Sequence, residues 1–197
     1  MNETPSLNVS KILRSGGDVS AAGELDSLTL TEYHPDGSQS FSPIPLQGTV
    51  QWRAVISHVG ENEYWLAGRI KGSTIQDCAR CLEPVVTPIE ARLEGLMRYD
   101  PKVSDPKREI IDDGEEIIVF GNSSIDLSAL LAEAFTLETP EIVLHDPNCK
   151  GLCSECGTNL NHLAAGSCAV NSATCPQLVT KHETSSPFAG LRDLFKD

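Results

Sequence analysis

The chain has 197 residues and a formal net charge of -13 at pH 7. This length suits one domain with an appendage, or two small domains, and excludes several large ones. The averaged negative field opposes long-range attraction to nucleic acid and anionic membranes, so any RNA contact needs a local basic patch or a partner protein. No apolar run reaches the roughly 18 residues that span a bilayer, and no secretory leader is visible. We therefore expect a soluble, cytoplasmic protein with no membrane partner.

The N-terminal part of the chain is mostly polar and rich in turn signals. The sequence LNVSKIL at 7–13 predicts a short element, and the adjacent glycines and the Pro-Asp-Gly turn that follow it predict a loop. We divide the chain into 1–43 as an N-terminal element and loop, 44–161 as a core with both CxxC motifs, and 162–197 as a flexible C-terminal tail with a short amphipathic end.

Residues 46–75 alternate apolar and polar side chains, which is typical of half-buried β-strands. The turn residues Gly-Glu-Asn at 60–62 interrupt the pattern, so we predict a β-hairpin. Residues 85–99 continue the extended pattern, and short turns are enough to join sequential antiparallel strands. The positions predicted to share the apolar faces are Val50, Trp52, Ala54, Ile56, Tyr64, Leu66, Gly68, Ile70, Ile89, Ala91, Leu93 and Gly95.

The second half of the core combines a loop, a strand and a helix. Residues 100–116 contain two Asp-Pro steps and mixed charge, which predicts a surface loop, and the run EIIVF at 116–120 predicts a buried strand. In residues 124–140, apolar side chains recur at three- and four-residue spacing, which predicts a core helix that Ser124 or Asp126 caps. The expected fold class is α+β: an antiparallel β-sheet with one main amphipathic helix and a zinc-knuckle-like C-terminal segment.

The seven cysteines are better explained by metal or redox chemistry than by disulfides, because we expect a reducing compartment. Cys78 with Cys81 and Cys153 with Cys156 form two CxxC pairs, which together can complete the tetrahedral thiolate shell of a structural zinc ion. Closing the long chain segment between the pairs costs about 4 kcal/mol, whereas a structural zinc contributes roughly 10–16 kcal/mol. The predicted cofactor is Zn2+, with these four cysteines as ligands.

Cys149 leaves other arrangements open. Cys149, Cys153 and Cys156 could supply three ligands of a local site, for which the candidate fourth ligands are His145, His162, Cys168 and Cys175. All five histidines are isolated in the sequence, which favours surface or packing roles, and no catalytic zinc motif such as HExxH is present. Unliganded thiols would instead indicate a redox or zinc-sensing protein, although neither CxxC begins a convincing helix that would lower a thiol pKa.

The motif CARCLEPV at 78–85, followed by CKGLCSECGTNLN at 149–161 and the terminal PFAGLRDL, resembles the YceD family of bacterial proteins, the large ribosomal RNA subunit accumulation proteins. The resemblance spans roughly residues 45–195, with Ser154 where the family usually has proline. It implies a non-enzymatic ribosome biogenesis factor that supports accumulation or processing of large-subunit (23S) ribosomal RNA. The implied partner is ribosomal RNA or a ribosome-assembly protein.

Basic residues are concentrated in one part of the chain. Residues 53–108 contain nine Lys or Arg, whereas 109–148 contain none and ten acidic residues. The predicted strands and the first CxxC therefore form the part expected to face RNA. The candidate RNA-facing residues are Arg53, Arg69, Lys71 and Arg80. The alternative is a solvated strand face with alternating charges.

Overall fold

The computed structural model of the chain describes residues 4–34, 36–104, 106–111, 114–154 and 156–162. The chain divides into two units. The first comprises Met1–Gln76 and Pro84–Val143, and the second comprises Asp77–Glu83 and Leu144–Asp197. No helix within the described ranges is long and apolar enough to cross a membrane.

The described ranges contain ten strands and two α-helices. The strands are β1 (Ser6–Asn8), β2 (Asp18–Leu25), β3 (Thr29–Tyr33), β4 (Gln39–Pro43), β5 (Val50–Gly60), β6 (Glu63–Asp77), β7 (Pro84–Tyr99), β8 (Lys107–Ile110), β9 (Glu116–Phe120) and β10 (Ser124–Asp126). The helices are α1 (Ser10–Ser15) and α2 (Ser128–Leu137), and a short 3₁₀ helix spans Leu160–His162.

Six strands form the main sheet of the first unit, in the order β2-β5-β6-β7-β9-β8. The pairs β2–β5, β5–β6 and β8–β9 are antiparallel, and of these the sequence predicted β5–β6. The pair β7–β9 is parallel, which corrects the prediction of a purely antiparallel sheet. The chain between β7 and β9 includes β8, which pairs with the other edge of β9. This segment provides the long connection that two parallel strands require.

The hairpin predicted over 46–75 is confirmed as β5 and β6. Its register places Trp52 opposite Ile70 and Ile56 opposite Leu66, and all four side chains are buried. The turn residue Asn62 has a φ of 58°, a left-handed conformation that asparagine tolerates better than most residues.

Two predicted loops contain strands instead. The loop after the N-terminal element holds β2, β3 and β4, and residues 100–116 hold β8. Periodicity missed β2 and β8 because they bury little: Leu25 is the single buried residue of β2, and β8 has none. The boundary at residue 43 stays a prediction, although β2 joins the main sheet by pairing with β5.

The predicted core helix is confirmed as α2, which packs against β7 and β3. Of the two predicted caps, Asp126 accepts a hydrogen bond from the backbone N–H of Ser128 at 2.8 Å, whereas Ser124 belongs to β10. Leu131 and Phe135 of α2 are fully buried and share one core with the apolar face of β5, β6 and β7. The first unit therefore has a hydrophobic core of its own.

Candidate metal centre

Four side chains of the second unit bring sulfur and nitrogen atoms together. Cys78, Cys81, His145 and Cys149 each offer one ligand atom, and these atoms lie within 4.8 Å of one another. The sulfurs of Cys78 and Cys149 are 3.8 Å apart, and the Cys81 sulfur is 3.1 Å from Nδ1 of His145. Three sulfurs and one imidazole nitrogen are a ligand set that zinc binds tetrahedrally.

The turn at 78–83, which follows β6, presents the first two sulfurs. The backbone N–H of Cys78 donates to the carbonyl of Glu83 at 2.8 Å, and the N–H of Leu82 donates to the carbonyl of Cys78 at 2.9 Å. Leu82 has a φ of 61°, which is unusual for a bulky residue. Two backbone hydrogen bonds therefore close a tight loop around Cys78 and Cys81.

The second CxxC turn has the same hydrogen-bond pattern. The N–H of Cys153 donates to the carbonyl of Thr158 at 2.8 Å, and the N–H of Gly157 donates to the carbonyl of Cys153 at 2.9 Å. Gly157 has a φ of 69° and occupies the position that Leu82 takes in the first turn. The two CxxC turns are therefore closed by the same two backbone hydrogen bonds.

The ligand group found among the described residues includes the first CxxC pair and not the second. Cys78 and Cys81 belong to the cluster of four, whereas Cys153 and Cys156 do not. Cys153 is buried and packs beside Cys156 and Leu160. The four-cysteine ligand set stays a prediction, and Cys149, the alternative ligand named from the sequence, lies against the first pair. Cys168 and Cys175 lie outside the described residues.

Backbone and side-chain hydrogen bonds position Cys149. Its N–H donates to the carbonyl of Asp146 at 3.0 Å. Nη1 of Arg80 donates to the Cys149 carbonyl at 3.0 Å, and the N–H of Leu152 donates to the Arg80 carbonyl at 2.9 Å. Gly151 has a φ of 77°, and a Cβ there would lie 3.0 Å from the Arg80 carbonyl oxygen. Arg80, which the sequence assigned to an RNA-facing surface, thus makes structural contacts within this centre.

A carboxylate lies behind His145. Oε2 of Glu83 is 3.6 Å from Nε2 of His145, while Nδ1 of the same ring faces Cys81. Glu83 also accepts a hydrogen bond from Nδ2 of Asn159 at 3.1 Å and contacts Nε2 of His162. A carboxylate that hydrogen-bonds a ligand imidazole orients the ring and the nitrogen that it offers to a metal, and Glu83 lies just beyond hydrogen-bond distance of His145.

Sequence reasoning missed several of these polar contacts. The sequence favoured a surface or packing role for His145 and named it as one candidate fourth ligand of a local site, whereas the structure places it in the cluster with Cys78, Cys81 and Cys149. Asn161 donates to the sulfur of Cys149 at 3.4 Å, and Asn159 supports Glu83. Two features of the sequence could have indicated these contacts. One is the four-residue spacing from His145 to Cys149, and the other is the Asn-Leu-Asn that follows the second CxxC.

Burial and hydrogen bonding move the pKa values of the first two thiols in opposite directions. Burial alone would raise the pKa of Cys78, but hydrogen bonds from Arg80 and His145 lower it to about 5. Burial and the neighbouring sulfurs of Cys78 and Cys149 raise the pKa of Cys81 to about 12. A thiolate at Cys78 near neutral pH is the form that binds a metal ion.

The order Cys81, His145, Glu83 also matches the pairing of a nucleophilic thiol with a base and a carboxylate. Access argues against catalysis, because Cys81 is 4% exposed and Cys78 is 0% exposed. Sulfurs that a substrate cannot reach suit a closed structural centre, in which four protein ligands leave no coordination position for water.

The other predicted RNA-facing residues lie on the main sheet of the first unit. Arg53 on β5 is directly opposite Arg69 on β6, and Lys71 follows two residues further along β6. The residues between them face the core, so these three side chains share the opposite face of the sheet.

Several curated proteins are similar to part of this chain. An uncharacterized protein of Mycobacterium tuberculosis (strain ATCC 25618 / H37Rv) is 32% identical over 95 residues, which cover 48% of this chain and 44% of that protein. An uncharacterized protein of Mycobacterium leprae (strain TN) is 32% identical over 95 residues, with coverage of 48% and 42%. The chain thus spans less than half the length of these relatives. No solved structure matches it.

Two further comparisons carry a functional name. The Zea mays protein "Large ribosomal RNA subunit accumulation protein YCED homolog 1, chloroplastic" is 28% identical over 126 residues, which cover 52% of this chain and 43% of the relative. The family model "Large ribosomal RNA subunit accumulation protein YceD" matches residues 66–195, which include both CxxC turns, β7, β9 and α2. Because this match extends over more than half of the chain, the protein belongs to the YceD family.

Proposed function

We propose that the protein is a non-enzymatic factor that supports the accumulation of large-subunit ribosomal RNA. The observation that carries this proposal is the match of residues 66–195 to the YceD family, whose name states that role. The name of the plant relative agrees with it. The buried cysteine cluster is consistent with a non-enzymatic role, because its sulfurs are closed to substrates.

The proposed cofactor is a structural zinc ion bound by Cys78, Cys81, Cys149 and His145. The mutual distances of their ligand atoms and the burial of the three cysteines support this assignment. Among the described residues of the second unit, a small apolar cluster lies around Cys153. A structural zinc ion contributes roughly 10–16 kcal/mol in small zinc domains, so it would be a main source of stability for the segments that it joins.

A redox or zinc-sensing role has one supporting observation, the lowered pKa of Cys78. A sensor thiolate must also be accessible to its oxidant, and Cys78 is fully buried. A metal-ligand role accounts for the low pKa and for the burial together. We therefore favour the structural role.

Depletion of the protein in the organism that encodes it tests the proposed function. We expect mature large-subunit RNA to fall relative to small-subunit RNA, and expression of the wild-type chain to restore the ratio. Unchanged levels of precursor and mature large-subunit RNA after depletion would contradict the proposal.

The zinc content of Cys149→Ser and Cys153→Ser tests the ligand set. We expect Cys149→Ser to lose most of its zinc and Cys153→Ser to retain it, because only Cys149 lies in the cluster of four. Elemental analysis of the purified full chain gives the stoichiometry. Cobalt substitution gives a second readout, since the thiolate-to-cobalt absorption increases with the number of thiolate ligands. The opposite pattern, with zinc lost from Cys153→Ser and kept by Cys149→Ser, would overturn this set.

A further inference from the structure

One face of the main sheet carries charged and aromatic side chains that neither the core nor the metal centre uses. Arg53 and Val55 are exposed along β5 and alternate with buried residues. Trp65 on β6 is 41% exposed although both of its chain neighbours are buried. We name this surface the basic sheet face; its members are Arg53, Trp65, Arg69, Lys71 and Arg92.

The basic sheet face carries four cations, with the carboxylates of Glu90 and Glu94 beside them on β7. Arg53 is directly opposite Arg69, and like charges in that position destabilise a strand pair. Glu90 of β7 is 3.5 Å from Arg69 and 3.0 Å from Lys71, so these two cations share one carboxylate. Arg53 has no ion-pair partner among the described residues. Glu90 thus offsets Arg69 and Lys71 in part, whereas the charge of Arg53 is left for an anionic ligand.

Glu63, two residues before Trp65 on β6, pairs with Arg98 at 3.1 Å, and the other neighbours of Trp65 on this face are small. Its cross-strand partner is Ser57, and the next residue on the same face of β6 is Ala67, which lies opposite Val55. These side chains are all smaller than the indole, so they leave it accessible from solvent. Aromatic side chains on an open sheet are the surfaces on which unpaired nucleobases stack.

We propose that the basic sheet face binds a single-stranded segment of RNA, with a base stacked on Trp65 and phosphates bound by Arg53, Arg69 and Lys71. The inference rests on the proposed function, because ribosomal RNA is the ligand class that the function supplies. Trp65 and Arg69 are four residues apart on one strand, or about 13 Å. Base and phosphate contacts therefore fall on different nucleotides of an extended strand.

The chemistry of the face selects single strands over duplexes. In an A-form duplex the bases are stacked on each other and the major groove is too narrow for side chains to read. An exposed indole on a sheet face can stack only on a base that is not already paired. The net charge of -13 opposes RNA at long range, so the contact depends on these local cations and weakens with salt.

Fluorescence anisotropy of the full, zinc-loaded chain with a 5′-fluorescein-labelled ten-nucleotide oligouridylate tests the proposal. The test variants are Trp65→Ala and Arg53→Gln. The matched controls are Phe41→Ala, which removes an aromatic ring that is 65% exposed on β4, and Arg14→Gln, which removes one charge from α1. Trp65→Phe retains a ring for stacking and checks that loss of binding does not arise from misfolding.

We expect the wild-type chain to bind and Trp65→Ala to weaken binding roughly ten-fold. Arg53→Gln should weaken binding at low salt and reduce the slope of log affinity against log salt by about 0.7. Trp65→Phe, Phe41→Ala and Arg14→Gln should bind nearly as the wild type does. A wild-type chain that does not bind the oligonucleotide, or Trp65→Ala binding as tightly as wild type, would overturn the proposal.

Complementation separates this inference from the proposed function. If depletion lowers large-subunit RNA but the wild-type chain binds no oligouridylate, the RNA face is wrong and the function stands. If Trp65→Ala also fails to complement in that case, the face serves a partner protein, which again overturns RNA binding. If the variants lose RNA binding but depletion leaves ribosomal RNA unchanged, the face is supported and the proposed function fails.

Discussion

Leu82 and Gly157 occupy the same position in two CxxC turns that are closed by the same two backbone hydrogen bonds. Both have positive φ, 61° and 69°, but only glycine adopts this conformation without steric cost. Leu82 is 61% exposed, so its side chain gains little from packing. The first turn therefore holds a strained residue beside two cluster cysteines, and the closing hydrogen bonds of the turn offset that strain.

The strain at Leu82 predicts opposite effects for two substitutions. Leu82→Asn should leave the free energy of unfolding unchanged or raise it by up to about 1 kcal/mol, because asparagine tolerates positive φ. Leu82→Val should lower it by roughly 1 kcal/mol, because β-branched residues are least tolerant there. Urea unfolding of the zinc-loaded protein measures both. Equal stabilities for the two variants would show that the turn relaxes around Leu82.

Glu83 should act on the metal through His145. We expect Glu83→Gln to lower zinc affinity about ten-fold, because the orienting carboxylate behind the imidazole is lost. Competition with a chromophoric chelator measures the affinity. Glu109→Gln on β8 is the matched control and should bind zinc as the wild type does. Wild-type affinity for Glu83→Gln would mean that His145 is oriented by its other contacts.

At the scale of elements, β5 and β6 approach each other too closely for side chains at some positions. A Cβ at Gly72 would lie 2.3 Å from Cγ1 of Val50, which is fully buried. Gly95 on β7 has no atom within 4 Å of such a Cβ. Of these two glycines, Gly72 is required because a larger residue would clash with Val50, whereas the position of Gly95 has room for a side chain.

Replacement of each glycine by alanine separates these roles. Gly72→Ala should destabilise the protein by about 1–3 kcal/mol, because the added methyl overpacks the strand pair. Gly95→Ala should be neutral or stabilise it by roughly 0.5 kcal/mol, because it restricts the unfolded chain. Denaturant unfolding of both variants gives the comparison. A similar loss for both variants would contradict the steric argument.

At the scale of the whole molecule, the two units differ in what stabilises them. The first has a continuous core that joins the sheet and α2. In the part of the second unit that the structure describes, there are a small cluster around Cys153 and the cysteine-histidine group. Stability in the second unit should therefore depend on the metal, whereas stability in the first should not.

Zinc removal tests this division. After chelation, we expect amide hydrogen exchange to accelerate in residues 77–83 and 144–162 while β5 and β6 retain their protection. Exchange measured by mass spectrometry on zinc-loaded and chelated samples resolves these segments. Equal acceleration in β5 and β6 would show that the sheet itself depends on the metal.

The sequence predicted the elements that have strong local patterns. The β5–β6 hairpin follows from the alternation that puts Trp52 and Ile56 on one face, and α2 follows from the spacing of its leucines. It failed for β2 and β8, whose mostly exposed residues carry no periodic apolar signal. The sequence also did not predict that β9 pairs with β7 in parallel. Which strands become neighbours depends on contacts across the whole sheet, and these are not visible in a local sequence pattern.

The sequence by itself determined that two CxxC turns exist and that Cys78 and Cys81 lie together, because four consecutive residues in a tight turn leave little choice. Only the tertiary structure decided which residues join them. Cys149 and His145 reach Cys78 and Cys81 from more than sixty residues away, and Glu83 lies behind the imidazole. Spacing along a chain does not encode such proximity, which depends on the hydrogen bonds from Arg80 to Cys149 and from Asn159 to Glu83 that join the second segment to the first turn.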